Sequence, residues 1–172
     1  SDWSSDVCSS DLEITKVVVD AMGGDNAPHE IIKGAVEAVG KSDAIHVILV
    51  GKEDVINQEL SGYTYNKEQI SVVHTSEVIE TAEPPVMAIR RKKDSSIVVG
   101  LKMVKDKEAD AFVSAGSSGA VLAGGQLLVG RIKGVERPPL APLIPTEKGF
   151  SILIHCGANV DARPSHLVQF AK

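Results

Sequence analysis

Short apolar runs typical of buried strands alternate with helix-like segments along most of this chain. The runs KVVVDAM (16–22) and AIHVILVG (44–51) have the length and β-branched content of strands that are covered on both faces. Between them, residues 27–41 carry apolar side chains at helical spacing, with Pro28 near the first turn. This alternation predicts an α/β fold, with a mostly parallel sheet and helices on both of its faces. The same patterns predict further strands at 70–74, 109–116 and 150–157, and further helices at 52–60, 85–93, 95–109, 118–132 and 164–172.

The composition is typical of a globular domain with an aliphatic core. Of the 172 residues, 43% are hydrophobic but only 3% are aromatic, so Val, Ile, Leu and Ala must fill the core. No apolar run reaches the roughly 20 residues that a membrane-spanning helix needs. The net charge of −5 at pH 7 gives no general attraction to nucleic acid, and no nucleic-acid partner is expected.

The first twelve residues, SDWSSDVCSSDL, differ from everything that follows. They are rich in Ser and Asp, and they lack both hydrophobic periodicity and the features of a signal peptide. The segment resembles the translation of a sequencing-library adapter. We therefore expect residues 1–12 to be non-native and disordered, a native disordered tail being the alternative, and residues 13–172 to form the domain. Beyond them one cysteine remains, Cys156, which fits a reducing compartment better than a disulfide scaffold.

The loop after the first predicted strand, DAMGGDNAP (20–28), holds two adjacent glycines between two aspartates. Gly23 and Gly24 would let a ligand approach the main chain, and the next helix start offers unpaired N–H groups to an anion. A tight turn that uses glycine only for its geometry is the structural alternative. Asp20 and Asp25 favour a functional loop, in which they could bind a metal ion, accept a proton or orient a cation.

A second loop of small residues, SAGSSGA (114–120), lies between a predicted strand and a predicted helix. Its successive N–H groups could form a concave anion site, with the Ser117 and Ser118 hydroxyls as further donors. It has neither the Gly-Lys-Ser/Thr of a Walker loop nor the G-x-G-x-x-G pattern of a dinucleotide site. A helix start capped by a hydroxyl explains the loop equally well.

A third polar loop, GANVDARP (157–164), follows the strand predicted at 150–157. Asn159 and Asp161 fit an Asx turn that hydrogen-bonds its own backbone. Loops that follow parallel strands share one edge of the sheet, so the three loops together predict a ligand site there.

Arg90, Arg91, Lys92 and Lys93 are four consecutive cations in a chain that is otherwise slightly acidic. Such a run is most often the solvated face of a helix. Its functional interpretation is a patch that binds phosphate or an acidic protein.

Five segments, in this order, resemble the PlsX-type phosphate acyltransferases of bacterial phospholipid synthesis. They are VVVDAMGGDNAP (17–28), EPPVMAIRRKKDSS (83–96), SAGSSGAVLAGG (114–125), RPPLAPLIPT (137–146) and CGANVDARPSHLVQFA (156–171). The resemblance runs from about Ile14 to Lys172. It implies transfer of an acyl group from acyl carrier protein to inorganic phosphate, with no cofactor and no metal. It also implies an α/β/α sandwich akin to phosphate acetyltransferases, a homodimer, and a cytoplasmic location peripheral to the membrane.

Members of that family continue well beyond residue 172. We therefore expect this chain to be an N-terminal part, with the membrane-facing helices in the missing half. An uncovered sheet edge would leave it marginally stable or aggregating, and without transferase activity of its own.

Phosphate is already a nucleophile at neutral pH, so the reaction needs positioning and stabilisation of an oxyanion rather than a Ser–His pair. The residues expected at the reacting centre are Asp20, Asp25, Asn26 and Asn159. Those expected to bind phosphate or substrate are Gly23, Gly24, Ser114, Gly116, Ser117, Ser118, Gly119 and Arg137. The cations Arg90, Arg91, Lys92 and Lys93 are expected to dock acyl carrier protein.

Two positions depart from the family pattern. His155 stands where the family usually has Asp, which replaces an anion with a neutral or positive ring, and Ser118 stands where it usually has Thr, which keeps the hydroxyl. Two other interpretations stay open. One is a phosphate acetyl- or butyryltransferase that uses coenzyme A and would not need the basic run. The other is an inactive fragment.

Overall fold

The computed structural model describes residues 14–136, 138–154 and 163–170 of the chain. Residues 1–12 lie outside this range, so their expected disorder stays a prediction. The strands are β1 (Thr15–Asp20), β2 (Ile45–Gly51), β3 (Ile70–His74), β4 (Ala111–Val113), β5 (Leu143–Thr146) and β6 (Gly149–Ile152). The helices are α1 (His29–Val39), α2 (Glu53–Leu60), α3 (Pro85–Arg91), α4 (Ser96–Lys105), α5 (Ser118–Gly124), a π turn (Gly125–Val129) and α6 (Pro164–Phe170).

Four parallel strands form the main sheet in the order β3-β2-β1-β4. β1 is central, with Val18 opposite Ile48 of β2 on one side and opposite Phe112 of β4 on the other. The α/β fold and the parallel sheet are therefore confirmed. Because β1 and β4 are parallel neighbours, the loops that follow them leave the sheet at the same edge.

Helices cover both faces of this sheet, because alternate strand residues point to opposite sides. On one face, Leu49 packs in a core cluster with Ile32 of α1 and Ile56 of α2, and all three are fully buried. On the other face, Ile48 and its neighbour Val50 pack with Val99 and other apolar residues of α4. Burial on both sides explains why the central parts of β1 and β2, residues 17–19 and 47–50, are apolar at every position.

A third cluster joins α3, α4 and α5 beside the sheet. Ile89 of α3, Ile97 and Leu101 of α4, and Ala120 of α5 are among its buried members. The Ser95 hydroxyl caps α4 by accepting a hydrogen bond from the Val98 N–H at 3.4 Å. This cluster fixes the start of α5, and with it the loop that follows β4.

The segment predicted as a strand at 150–157 forms β6 at Gly149–Ile152, and this described part does not join the parallel sheet. β6 pairs antiparallel with β5, across a two-residue turn at Glu147 and Lys148, in a separate two-stranded sheet. The expected place in the parallel sheet was wrong, because an apolar run of this length suits a buried strand or a hairpin equally. Pairing with the adjacent segment also closes a much shorter loop, which costs less chain entropy.

Several other elements are shorter than the sequence predicts, and the helix predicted at 95–109, for example, is Ser96–Lys105. The strand predicted at 109–116 is only Ala111–Val113. The helix predicted at 118–132 ends at Val129, and its second half is a π turn closed by the Gly130 N–H, which donates to the Gly125 carbonyl at 2.9 Å. None of the helices in the described ranges has the length and hydropathy to cross a bilayer.

Candidate functional site

A buried carboxylate connects the two loops at the carboxyl ends of β1 and β4. Asp20, the last residue of β1, is only 1% exposed. Its Oδ1 accepts a hydrogen bond from the Met22 N–H at 3.1 Å, and its Oδ2 accepts one from the Ser114 hydroxyl at 2.8 Å. The Ser114 Oγ in turn accepts from the Gly116 N–H at 3.1 Å. Asp20 therefore holds its own loop and the loop after β4 in one arrangement.

Glycines allow the two backbones to approach this closely. A Cβ placed on Gly23 would lie 2.3 Å from the Asp20 Oδ2 and 3.0 Å from the Gly116 nitrogen. A Cβ on Gly116 would lie 3.1 Å from the Gly23 Cα. A side chain at either position would push the loops apart and strain the Asp20 hydrogen bonds.

Gly24 has a different reason to be glycine. Its φ is +116°, a backbone conformation that L side chains rarely adopt. A Cβ there would also lie 3.2 Å from the Ala115 Cβ and 3.3 Å from the Ala115 carbonyl oxygen. Gly23 therefore allows the two loops to come into contact, and Gly24 allows the backbone conformation of its own loop.

Ser117 confirms the structural alternative stated for the second loop. It is 4% exposed, and its hydroxyl caps α5 by accepting a hydrogen bond from the Ala120 N–H at 3.2 Å. Gly119 lies against α3, where a Cβ would come within 2.8 Å of the Pro85 Cγ. Ser118 is exposed beside them. Within this loop, Ser118 and the backbone around Gly116 are therefore the groups open to a ligand.

The two aspartates predicted to act beside the same anion have different surroundings. Asp20 is buried and already hydrogen-bonded, whereas Asp25 and Asn26 are exposed in the loop that precedes α1. Within the described ranges, no three His, Cys, Asp or Glu side chains are grouped so that they could hold a metal ion. The structure brings together Asp20, Gly23, Gly24, Ser114 and Gly116, and leaves Asp25 and Asn26 at the rim.

A groove of about 620 Å³ begins at the second loop and runs along α5 and the π turn. Ser114, Gly116 and Ser118 line one end of it, and Leu122, Val129 and other mostly apolar residues, together with Gln126, line the rest. The apolar pattern of residues 118–132 predicts a helix and does not indicate this groove. The pair Gly124–Gly125 within that helix was the available signal.

The remaining predicted site residues, Arg137 and Asn159, lie outside the described residues, as does His155. So does most of the third loop, at 157–162. Their place at this edge of the sheet stays a prediction.

Comparison with known proteins shows the family of the chain. A family model described as "Fatty acid synthesis protein" matches residues 15–172, a range that includes every described residue except Ile14. The chain belongs to this family. The match begins at the first residue of β1 and includes both loops that Asp20 connects.

Curated relatives in this family carry the name phosphate acyltransferase. The protein of Clostridium novyi (strain NT) is 57% identical over 157 residues, which are 91% of this chain and 47% of that protein. The protein of Alkaliphilus oremlandii (strain OhILAs) is 57% identical over 155 residues, 90% of this chain and 46% of that protein. The chain spans about half the length of the curated relatives it matches.

The structure divides the basic run of this family member into exposed and internally paired side chains. Arg90, Arg91 and Lys93 are exposed around the end of α3. The Lys92 ammonium instead donates a hydrogen bond to the Val78 main-chain carbonyl oxygen at 2.6 Å and forms a salt bridge with Glu83. The predicted patch of four cations therefore presents three exposed charges.

The salt bridge lowers the pKa of Glu83 below its usual value, chiefly through the hydrogen bond from Lys92. A carboxylate whose pKa is lowered by folding stabilises the native state above its unfolded pKa, and that stability is lost as the pH falls through the folded pKa. Lys92 therefore contributes to stability at neutral pH, and its contribution disappears in acid.

We expect Lys92→Met to return the pKa of Glu83 toward its usual value, because the chief cause of the shift is removed. Unfolding by urea, followed from neutral pH down to about pH 3, should then show a smaller loss of stability in acid than the unmodified protein shows. Arg90→Met, at an exposed neighbour, is the matched control and should leave the Glu83 titration in carboxylate NMR unchanged. Equal effects of the two substitutions would contradict an internal role for Lys92.

Proposed function

We propose that the protein containing this chain transfers a fatty acyl group from acyl carrier protein to inorganic phosphate and releases acyl phosphate. The observation that supports this most strongly is the contact between the two glycine loops through Asp20 and Ser114, in a chain of the fatty acid synthesis family. The phosphate acyltransferase names of the relatives support the acceptor and the type of reaction. The choice of acyl carrier protein as the acyl donor rests on the resemblance of the sequence.

The proposed chemistry is a displacement at a thioester. A phosphate oxygen attacks the carbonyl carbon, a carbon–oxygen bond forms, and the carbon–sulfur bond breaks with release of the thiolate. Phosphate needs no general base at neutral pH, so the protein must hold it in line and stabilise the oxyanion of the tetrahedral intermediate. Backbone N–H groups that are already fixed in place do this without reorganisation.

We assign phosphate binding to the backbone of the loop 114–119 and to the Ser118 hydroxyl. We assign the reacting centre to the loop of Gly23 and Gly24, with Asp25 and Asn26 at its rim. Asp20 and Ser117 are positioning residues in this proposal, because their side chains already hold the loops. We also assign orientation of the substrate to Arg137 and Asn159, which lie outside the described residues.

Docking of acyl carrier protein is assigned to Arg90, Arg91 and Lys93. Their charges are exposed on one short stretch at the end of α3, which suits an acidic partner. A coenzyme A thioester is the alternative donor and would not need this surface. The homodimer and the peripheral membrane association implied by the resemblance belong to this proposal too.

The direct test is to assay the complete protein encoded with this segment, using phosphorus NMR to detect acyl phosphate. Acyl carrier protein and coenzyme A thioesters of the same acyl group are supplied in parallel. Phosphate-dependent release of the carrier-protein thiol together with acyl phosphate supports the proposal. Turnover of the coenzyme A thioester alone would show that coenzyme A carries the donor acyl group. Absence of acyl phosphate with both donors would overturn the proposed function.

Gly24→Val in the complete protein should lower turnover by about a hundredfold or more, since displacing a reacting centre by an ångström has effects of that size. The cause is the positive φ of Gly24 and the close approach of Ala115. Gly34→Val is the matched control, because Gly34 is exposed in α1 and a Cβ there meets no atom within 4 Å. Near-normal turnover of the folded Gly24 variant would show that the glycine pair is only a turn.

Reversal of Arg90, Arg91 and Lys93 to Glu should raise KM for acyl carrier protein about tenfold or more, through loss of electrostatic steering. KM for phosphate should change much less, and added salt should shrink the difference between the variant and the unmodified protein. Reversal of Lys41, Lys67 and Lys105, three exposed cations elsewhere, gives the same change in net charge as a control. Equal effects of the two triple variants on KM for acyl carrier protein would show that Arg90, Arg91 and Lys93 form an ordinary solvated helix face.

A further inference from the structure

The groove along α5 and the π turn changes character from one end to the other. At the loop end its lining is polar, from Ser114 and Ser118, and further along it is mainly apolar, from Leu122, Val129 and Leu140, with Gln126 as the one polar, uncharged side chain among them. No charged side chain is among its described lining residues. An amphiphile with a small polar head and an uncharged, apolar tail matches this gradient.

The lining residues of the helical segment fall on one face. Ser118, Leu122, Gly125 and Val129 follow each other at spacings of three and four residues, the repeat of a single helix face. At 1.5 Å per residue, the segment from Ser118 to Val129 is about 16 Å long. This length is on the scale of an extended fatty acyl chain, and the groove volume of about 620 Å³ falls within the ordinary range of ligand pockets.

Gly125 leaves a gap in the middle of this face that the fold itself does not explain. Its φ of −56° and ψ of −45° are those of any helical residue. A Cβ built on Gly125 meets no atom within 4 Å, whereas one on the adjacent Gly124 would lie 2.4 Å from the Leu101 Cδ1. Core packing therefore requires glycine at 124, and neither packing nor conformation requires it at 125.

A glycine inside a helix destabilises the helix relative to alanine, so its presence at 125 calls for a compensating benefit. The following π turn is the kind of helix irregularity that is frequent at functional sites. Both features lie on the groove, directly beyond the loop assigned to phosphate.

We infer that this groove holds the acyl chain of the thioester donor, and that Gly125 lacks a side chain so that long chains can pass. The inference rests on the proposed function, since the thioester carbonyl must lie at the loop end for the tail to enter. Leu122 and Val129 would then contact the chain beyond that point. Acyl-chain length would be selected by how far the groove stays open past Gly125.

The test fills the gap in the complete protein by Gly125→Ala and Gly125→Leu. The measured quantity is the ratio of kcat/KM for a hexadecanoyl donor to kcat/KM for a butanoyl donor on the same carrier. We expect this ratio to fall for Ala and to fall about tenfold or more for Leu, since a hydrophobic pocket discriminates by this much per methylene group. Gly34→Leu, at an exposed helical glycine with open space around it, should leave the ratio unchanged.

Three results would overturn the inference, and they are distinguishable. An unchanged ratio in a folded, active Gly125→Leu enzyme would show that the tail lies elsewhere, with the proposed function intact. A lowered melting temperature with an unchanged ratio would show that another part of the protein fills the groove. Absence of acyl phosphate from both donors in the unmodified enzyme would overturn the proposed function and the inference together.

Discussion

The hydrogen bond between the Ser114 hydroxyl and the Asp20 carboxylate is the interaction on which the candidate site depends. A buried carboxylate is costly unless its oxygens are hydrogen-bonded, and here the Met22 N–H and Ser114 supply the partners. Because Asp20 ends β1 and Ser114 follows β4, the bond fixes the relative position of the two loops. Glycine at 23 and 116 follows from that closeness, since a Cβ at either would meet the opposite loop or Asp20 itself.

The main sheet was predictable because its strands are mostly apolar and each is separated from the next by a helical pattern. Residues 70–74 were predicted as a strand and are β3. The hairpin of β5 and β6 was not predictable in the same way, since an apolar run does not reveal its pairing partner. The π turn at Gly125–Val129 also left no periodic signal, because it changes the hydrogen bonding and keeps the apolar composition.

The sequence predicted which loops form the candidate site better than it predicted what each side chain in them does. Asp20 was singled out for its place beside the glycines, but its burial against Ser114 depends on strand order, which a single sequence does not specify. The sequence around Ser117 is equally compatible with an anion site and a cap; the structure shows the cap, in which its hydroxyl accepts from the Ala120 N–H, and anion binding stays a prediction. Lys92 looked like Arg90 in sequence, and only the chain path brings Glu83 within reach of Lys92.

The most direct test of this account is a double-mutant cycle on turnover in the complete protein, using Asp20→Ala, Ser114→Ala and the double variant. If one hydrogen bond holds the two loops, each single variant loses activity and the double variant loses little more than the worse single one. The coupling should then lie in the range of about 0.5–3 kcal/mol that is typical of contacting residues. Additive losses in variants that stay folded by circular dichroism would contradict the claim that Asp20 and Ser114 act as one unit.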